Sequence, residues 1–438
     1  MKQKYRVALD SALSMAIELH KHGQLEEARS VYNDVLRAAP EHPDALHYLG
    51  VTLHQLGNSD EGIAHIKQSL ELSADNPDAV NNLGNIYRET GRLEDAEEAY
   101  RTVLEFAPKH VDTLVNLSII LRKNDKTNEA LDLLEQALDI DPNHATAYHN
   151  LGNVYRALKK SDEALVAFSK AQELAPHDDM SYLSIASTLY DAKKYHEAMD
   201  VLRQLLDRFP DHPIGSHMLA AYSGENIPKR APDRYVRQLF DDFSTHFDES
   251  LARLDYQAPR LVGSRVIDQF GAAGRGFRVL DIGCGTGLCG ALVKPVARTL
   301  IGVDLSPKML QKATKKAVYD HLEVAELTEY MNAAPDQFDI VICVDTFVYF
   351  GDLSEAFNAA SRTLSANGWL FFTVETHTDK ENQKGYCLQH HGRYGHSREY
   401  LGDTLESAGF AVQSLEDVVL REEGGQPVAG TLAVARKL

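Results

Sequence analysis

A proline returns every 34 residues through the first half of the chain, at Pro40, Pro108, Pro142, Pro176 and Pro210, with Ala74 in the slot that lacks it. Two small residues keep the same interval. One is Ala16, Gly50, Gly84, Ser118, Gly152 and Ala186; the other is Ala28, Gly62, Ala96, Ala130, Ala164 and Ala198. A fourth slot holds Tyr32, Ile66, Tyr100, Leu134, Phe168 and Leu202. A fixed interval of this length predicts one helical unit stacked on copies of itself. Small residues at two fixed points let paired helices approach closely, and proline ends each second helix because it has no N–H to continue the hydrogen-bond ladder. Residues 9–212 therefore read as six all-α units without an insertion.

The pattern resembles the tetratricopeptide (TPR) repeats. That resemblance implies a superhelix whose concave face is made by the first helix of each pair, closed by a polar capping helix. Residues 213–224 (PIGSHMLAAYSG) start like a seventh first helix and stop, so they are expected to be the cap. A repeat domain at 1–224, a short linker at 225–232 around Pro228 and Pro232, and a second domain at 233–438 follow. The first helices carry Asn82, Asn116 and Asn150 at one repeat position and Arg88, Arg122 and Arg156 six residues later, with Asn85 and Asn153 adding amides. An amide both donates and accepts, so it can pair with a peptide backbone regardless of sequence. The row resembles the asparagine ladder of the TPR superhelix in O-linked N-acetylglucosamine transferase. That implies a groove for a protein or peptide, in which the arginines favour acidic side chains. The competing reading is architectural, with asparagines bridging neighbouring helices.

The second half turns on residues 278–290, RVLDIGCGTGLCG. An apolar run passes directly into spaced glycines, as a buried strand feeding a turn that opens a helix. Gly285, Gly287 and Gly290 satisfy the dinucleotide pattern G-x-G-x-x-G. However, the glycines begin at Gly283 and Asp281 stands inside the strand's end, where a carboxylate repels a pyrophosphate and suits a cation. These residues resemble motif I of the class I S-adenosylmethionine-dependent methyltransferases, and GVDLSPKMLQKA further on is similar to methyltransferase sequences beyond that motif. The resemblance implies a seven-stranded, Rossmann-like α/β domain that uses S-adenosylmethionine and releases S-adenosylhomocysteine. It sets Asp281, Gly283, Cys284, Gly285, Gly287, Asp304, Leu305, Glu326 and Asp345 against the cofactor, with Asp304 at the ribose hydroxyls and Glu326 near the adenine. Ligands of open α/β sheets bind outside the carboxyl ends of the strands. Asp345, Tyr349, Glu375, His377 and His396 are accordingly the candidate bases for the acceptor. Tyr235, Phe240 and Phe247, on an amphipathic stretch ahead of the glycine turn, are candidates for a lid or for ordinary core packing.

Composition sets the remaining expectations. A net charge of −19 disfavours nucleic acid, whose binding rests on neutralising phosphates. No apolar run reaches the length of a membrane span, four cysteines without metal spacing read as reduced thiols, and the expected location is the cytoplasm. His390 and His391 are adjacent without a second cluster, so no metal is expected. The functional expectation is a methyltransferase whose repeats recruit a protein substrate. Its alternatives are methylation of a small metabolite, with the repeats serving as a homodimer or partner interface, and a non-catalytic scaffold.

Overall fold

The computed structural model describes residues 2–244, 247–377 and 384–438. It divides into two compact units, Met1–Ala198 and Met199–Leu438.

The first unit is a succession of helix pairs, beginning with Lys2–Lys21 and Leu25–Ala38 and reaching Asp179–Asp191 and Tyr195–Arg208, the last of which runs into the second unit. The periodic small residues do what their spacing predicts. A methyl group at Gly84 would meet the Tyr100 ring at 2.5 Å, and one at Gly152 would meet Phe168 at 2.5 Å. The small slot therefore exists to receive the aromatic slot of its own pair, and both rings are fully buried. A further signal of the same period went unread in the sequence. Asn76 caps its helix by accepting from the Ala79 N–H, and the Nδ1 atoms of His42, His110, His144 and His212 take the same role at 34-residue steps. His110 and His144 also reach back by Nε2 to Asp78 and Asp112 of the preceding pair. First helices of successive pairs touch one another as well as their own partners.

The second unit is built on a mostly parallel sheet. Its strands are β1 (Phe277–Ile282), β2 (Ala297–Asp304), β3 (His321–Val324), β4 (Phe338–Cys343), β5 (Leu364–Thr376), β6 (Tyr386–Leu388), β7 (Tyr394–His396), β8 (Phe410–Glu423) and β9 (Gln426–Lys437). The order runs β3-β2-β1-β4-β5, then β9 pairs antiparallel with β5 and with β8. Strands β1 and β4 are apolar almost throughout, as a sheet covered on both faces requires. The seven strands β1–β5, β8 and β9 are the expected set, and among the described residues two more join the sheet. The extra two come from the histidine-rich insertion at 376–398, which folds as a β6–β7 hairpin paired with the end of β5; positions 378–383 of that insertion lie outside the described residues.

Two expectations about the join change. The helix Pro213–Ser223 packs within the second unit: Ala220 lies with Leu388 and Tyr394, and His217 Nε2 contacts the Gly392 carbonyl at 2.8 Å. The stretch 225–232 is not a free tether. Ala231 N–H donates to the Tyr349 carbonyl at 2.7 Å, the Lys229 carbonyl accepts from Gly351 and Asp352, and Arg230 bridges to Phe350. Among the described residues no helix is long and apolar enough to cross a membrane.

Candidate functional site

At the carboxyl ends of β1, β2 and β4 the chain leaves a cavity of about 350 Å³, within the range of small-molecule sites. Its first wall is the glycine turn. Gly283 (φ +67°) holds its place for two reasons: the left-handed backbone, and Thr346, whose Oγ1 lies 2.0 Å from where a Cβ would be. Gly285 (φ +53°) differs, because beside it nothing stands closer than Phe247 at 3.9 Å. The space a side chain would fill there belongs to the cavity. Gly287 backs onto Tyr319 and is not part of the lining.

Asp304, at the end of β2, is the best-positioned polar group. Its two oxygens each accept one backbone N–H, from Gly285 at 2.8 Å and from Ser306 at 2.8 Å. The carboxylate is thus fixed in orientation, with acceptor capacity left for a ligand. Burial lifts its pKa to about 6, against those two donors. Leu305 and Glu326 also line the cavity. One Glu326 oxygen accepts from Arg230 at 2.7 Å and the other caps a helix through the Glu329 N–H at 2.8 Å, so this acid braces the wall as well as facing it.

Asp281 and Cys284 require correction. Asp281 is 1% exposed, accepts from the Tyr319 hydroxyl at 2.7 Å and does not line the cavity. Burial pushes its pKa to about 7, so it is a buried acid supporting the turn from behind. Cys284 is buried with it, and burial pushes its thiol well up.

The far wall holds a cluster of charges. Arg421, 5% exposed, donates to Asp345 at 2.9 Å and to Glu423 at 2.7 Å, and also to Glu375. Arg393 donates to Glu375 at 2.6 Å and to both oxygens of Glu423. A register shift between Val419 and Arg421 in β8 is the local device that aims the guanidinium inward. Asp345 has its other oxygen on Thr373 at 3.0 Å; burial raises its pKa while Arg421 opposes the rise. Tyr349 lines the cavity as expected, its phenol pushed up by burial.

Glu375, His377 and His396 are corrected in position. Glu375 is wholly enclosed by the two arginines behind the wall. His377 contacts Cys387 through Nδ1 at 2.9 Å, and His396 is 0% exposed with Nε2 on the Gly351 carbonyl; neither lines the cavity. Burial depresses His396 to about 4, which makes it a neutral core histidine.

The roof is aromatic. Phe240, Phe243 and Phe247 line it, with Phe240 edge-on to Tyr349 at 5.5 Å, whereas Tyr235 packs against His217 in the core. The roof is tied down by Asp241, which accepts from Ser306 at 2.5 Å, and by Asp248, which accepts from Lys316 at 2.8 Å and from Thr286. Tyr256, Arg393, Arg421 and Glu423 are lining residues that sequence reading missed.

In the repeat unit the amides are engaged between neighbours. Asn82 contacts His47 Nε2 at 2.9 Å, Asn116 donates to Asn81 at 3.2 Å and accepts from Arg88 at 3.1 Å, and Asn85 accepts from Tyr100 at 2.7 Å. Asn150 donates to the Thr146 carbonyl at 3.0 Å within its own helix. Arg156 lies 3.5 Å from Asp191.

Comparison with known proteins finds two families along the chain. Residues 232–415 match the family model described as a methyltransferase domain, and overlapping matches from 41 to 211 are to the tetratricopeptide repeat. The chain therefore carries TPR repeats followed by a methyltransferase domain. Among curated proteins it is 32% identical over 118 residues to the ubiquinone biosynthesis O-methyltransferase of Thiobacillus denitrificans, covering 26% of this chain and 49% of that one. It is 33% identical over 108 residues to the human methyltransferase-like protein 27, covering 24% and 44%. The chain thus spans about half the length of the curated relatives it matches. Among solved structures, an S-adenosylmethionine-dependent methyltransferase from Mesorhizobium loti is 22% identical, with a TM-score of 0.32, covering 37% of this chain and 92% of that one.

Proposed function

We propose that the protein is an S-adenosylmethionine-dependent methyltransferase whose repeat groove recruits a protein or peptide substrate. The observation that carries the first part is Asp304, held by two backbone donors beside the open space at Gly285. A fixed carboxylate at the end of the second strand suits a ribose diol, and the glycine leaves room for the rest of the cofactor. Asp304, Leu305, Gly285 and Glu326 would hold it. When bound, S-adenosylmethionine supplies a methyl group already activated by sulfonium. The chain's own task is then alignment, exclusion of water by Phe240, Phe243 and Phe247, and a defined field from the Arg393 and Arg421 cluster. Asp345 and Tyr349 are tied up or pushed upward, so the lining favours an acceptor that is nucleophilic without a strong base.

The second part is supported by the 34-residue array, since TPR repeats generally mediate contacts between proteins. A second reading has its own support. The apolar lining and the O-methyltransferase relatives suit a small apolar acceptor, with the repeats serving a partner or a second copy of the chain. Cysteines outside disulfides are in keeping with a cytoplasmic location.

The test is calorimetry with S-adenosylmethionine on the full chain and on Gly285→Asp. The wild type should bind, and the variant, carrying a carboxylate into the cavity, should not. Equal affinity would remove the cofactor assignment. Methyl-labelled cofactor added to cell extract then separates the two acceptor readings, because label enters protein in one and the small-molecule fraction in the other.

A further inference from the structure

Three arginines occupy one repeat position, and the fold treats them differently. Arg88 donates to Asn116 at 3.1 Å and lies 3.6 Å from Glu89. Arg156 has Asp191 at 3.5 Å. By the same 28-residue step that joins Arg88 to Asn116, Arg122 should reach Asn150, but Asn150 turns its amide to the Thr146 carbonyl instead. Among the described residues nothing accepts a hydrogen bond from Arg122 and no carboxylate pairs with it. It is nevertheless part-buried. A buried cation without an anion lowers stability, so an arginine kept in that state points to a ligand outside the fold.

Its surroundings agree. Burial, and then the nearby Arg156, hold the Arg122 pKa down. His149 lies in the field of both arginines, and its Nδ1 is buried with no hydrogen-bond partner. Asn153, one turn ahead of Arg156, keeps an amide that no described residue engages. Two guanidinium groups within each other's field suit a carboxylate held through several charge-assisted hydrogen bonds, and an unengaged amide one turn from Arg156 suits a peptide backbone.

We propose that Arg122 and Arg156 form a receptor for an acidic side chain on an extended polypeptide, with Asn153 engaging the backbone beside it. This rests on the peptide-recruiting reading and narrows it. The amides of Asn82 and Asn116 are largely occupied by neighbouring repeats, so selectivity comes from the fourth and fifth repeats and from charge.

The test uses the full chain and two labelled peptides followed by fluorescence anisotropy, one alternating glutamate with serine and the other with glutamine in place of glutamate. The glutamate peptide should bind about tenfold tighter or more, as one well-placed carboxylate allows. Arg122→Gln should abolish that preference, Arg122→Lys should retain part of it, and Arg88→Gln should leave it unchanged, all with unaltered S-adenosylmethionine affinity as the check on folding. Equal binding of the two peptides, or a preference that survives Arg122→Gln, overturns the carboxylate receptor and leaves the peptide groove standing. If neither peptide binds while the cofactor does, the peptide reading falls and the receptor with it.

Discussion

Arg421 and Arg122 are the same residue in opposite circumstances. Arg421 sits among Asp345, Glu375 and Glu423, and each nitrogen of its guanidinium donates to one of them. Arg122 is part-buried and, among the described residues, has no anion. The first arginine holds a wall together; the second is a charge the fold leaves unanswered. Where a cation's counter-charges are built into the chain it is scaffold, and where they are missing it is open to a ligand.

The comparison can be broken by mutation. Arg421→Met should be the most damaging change, because it leaves buried Asp345 without an arginine and Glu375 with Arg393 alone; a loss of about 3–5 kcal/mol in denaturant unfolding is expected. A loss below about 1 kcal/mol would mean the cluster rearranges freely. Next comes Asp281→Asn, which keeps an acceptor for Tyr319. Burial raises the Asp281 pKa from 3.8 to about 7, so the fold prefers the protonated acid. That contribution is complete below about pH 4 and is lost as pH rises through about 7, a loss the asparagine escapes. The variant should therefore gain on the wild type by at most about 4 kcal/mol across that interval and run parallel to it above. Unfolding curves at several pH values check this; a pH-independent difference would show the acid ionised throughout.

Asp304→Asn should weaken S-adenosylmethionine binding by about ten- to a hundredfold, roughly 1.4–2.7 kcal/mol, and should also cost about 1–3 kcal/mol of stability, because its single amide oxygen can accept only one of the two backbone N–H groups. Arg122→Met sharpens the contrast with the smallest effect and the opposite sign from Arg421→Met. Removing a cation that has no partner should leave the free protein as stable or raise it by up to about 1 kcal/mol. A clear loss on Arg122→Met would reveal an internal partner and end the comparison.

What could be read in advance follows the same line. Backbone periodicity is local, so the interval that sets Gly84 against Tyr100 and Gly152 against Phe168 was visible in the letters. Strand-end chemistry is nearly local, which is why Asp304, Leu305 and Glu326 were found at the cavity. Pairing is not local. Arg421 meets Asp345 across 76 residues and depends on a register shift that no composition signals. The histidines misled for the reason opposite to Arg421's. His396 and His377 stand at strand ends, where sequence places chemistry, but β7 runs alongside β5 with His396 wholly buried, and His377 turns to Cys387. The helix-capping slot is periodic too, but it changes letter among His, Asn76 and Asp178 while its role stays the same, so no single residue type marks it.

The position of β9 between β5 and β8 has a consequence for the order in which the molecule is made. The five parallel strands are synthesised first, and with them Asp345 and Glu375. Their counter-charge, Arg421, leaves the ribosome 46 residues after Glu375, and its strand reaches the sheet only through β9, which is made later still. During that interval Asp345 has no arginine against it, while Glu375 has only Arg393. The Asp345 side of the cavity therefore acquires its full set of charges only when the closing hairpin joins the sheet.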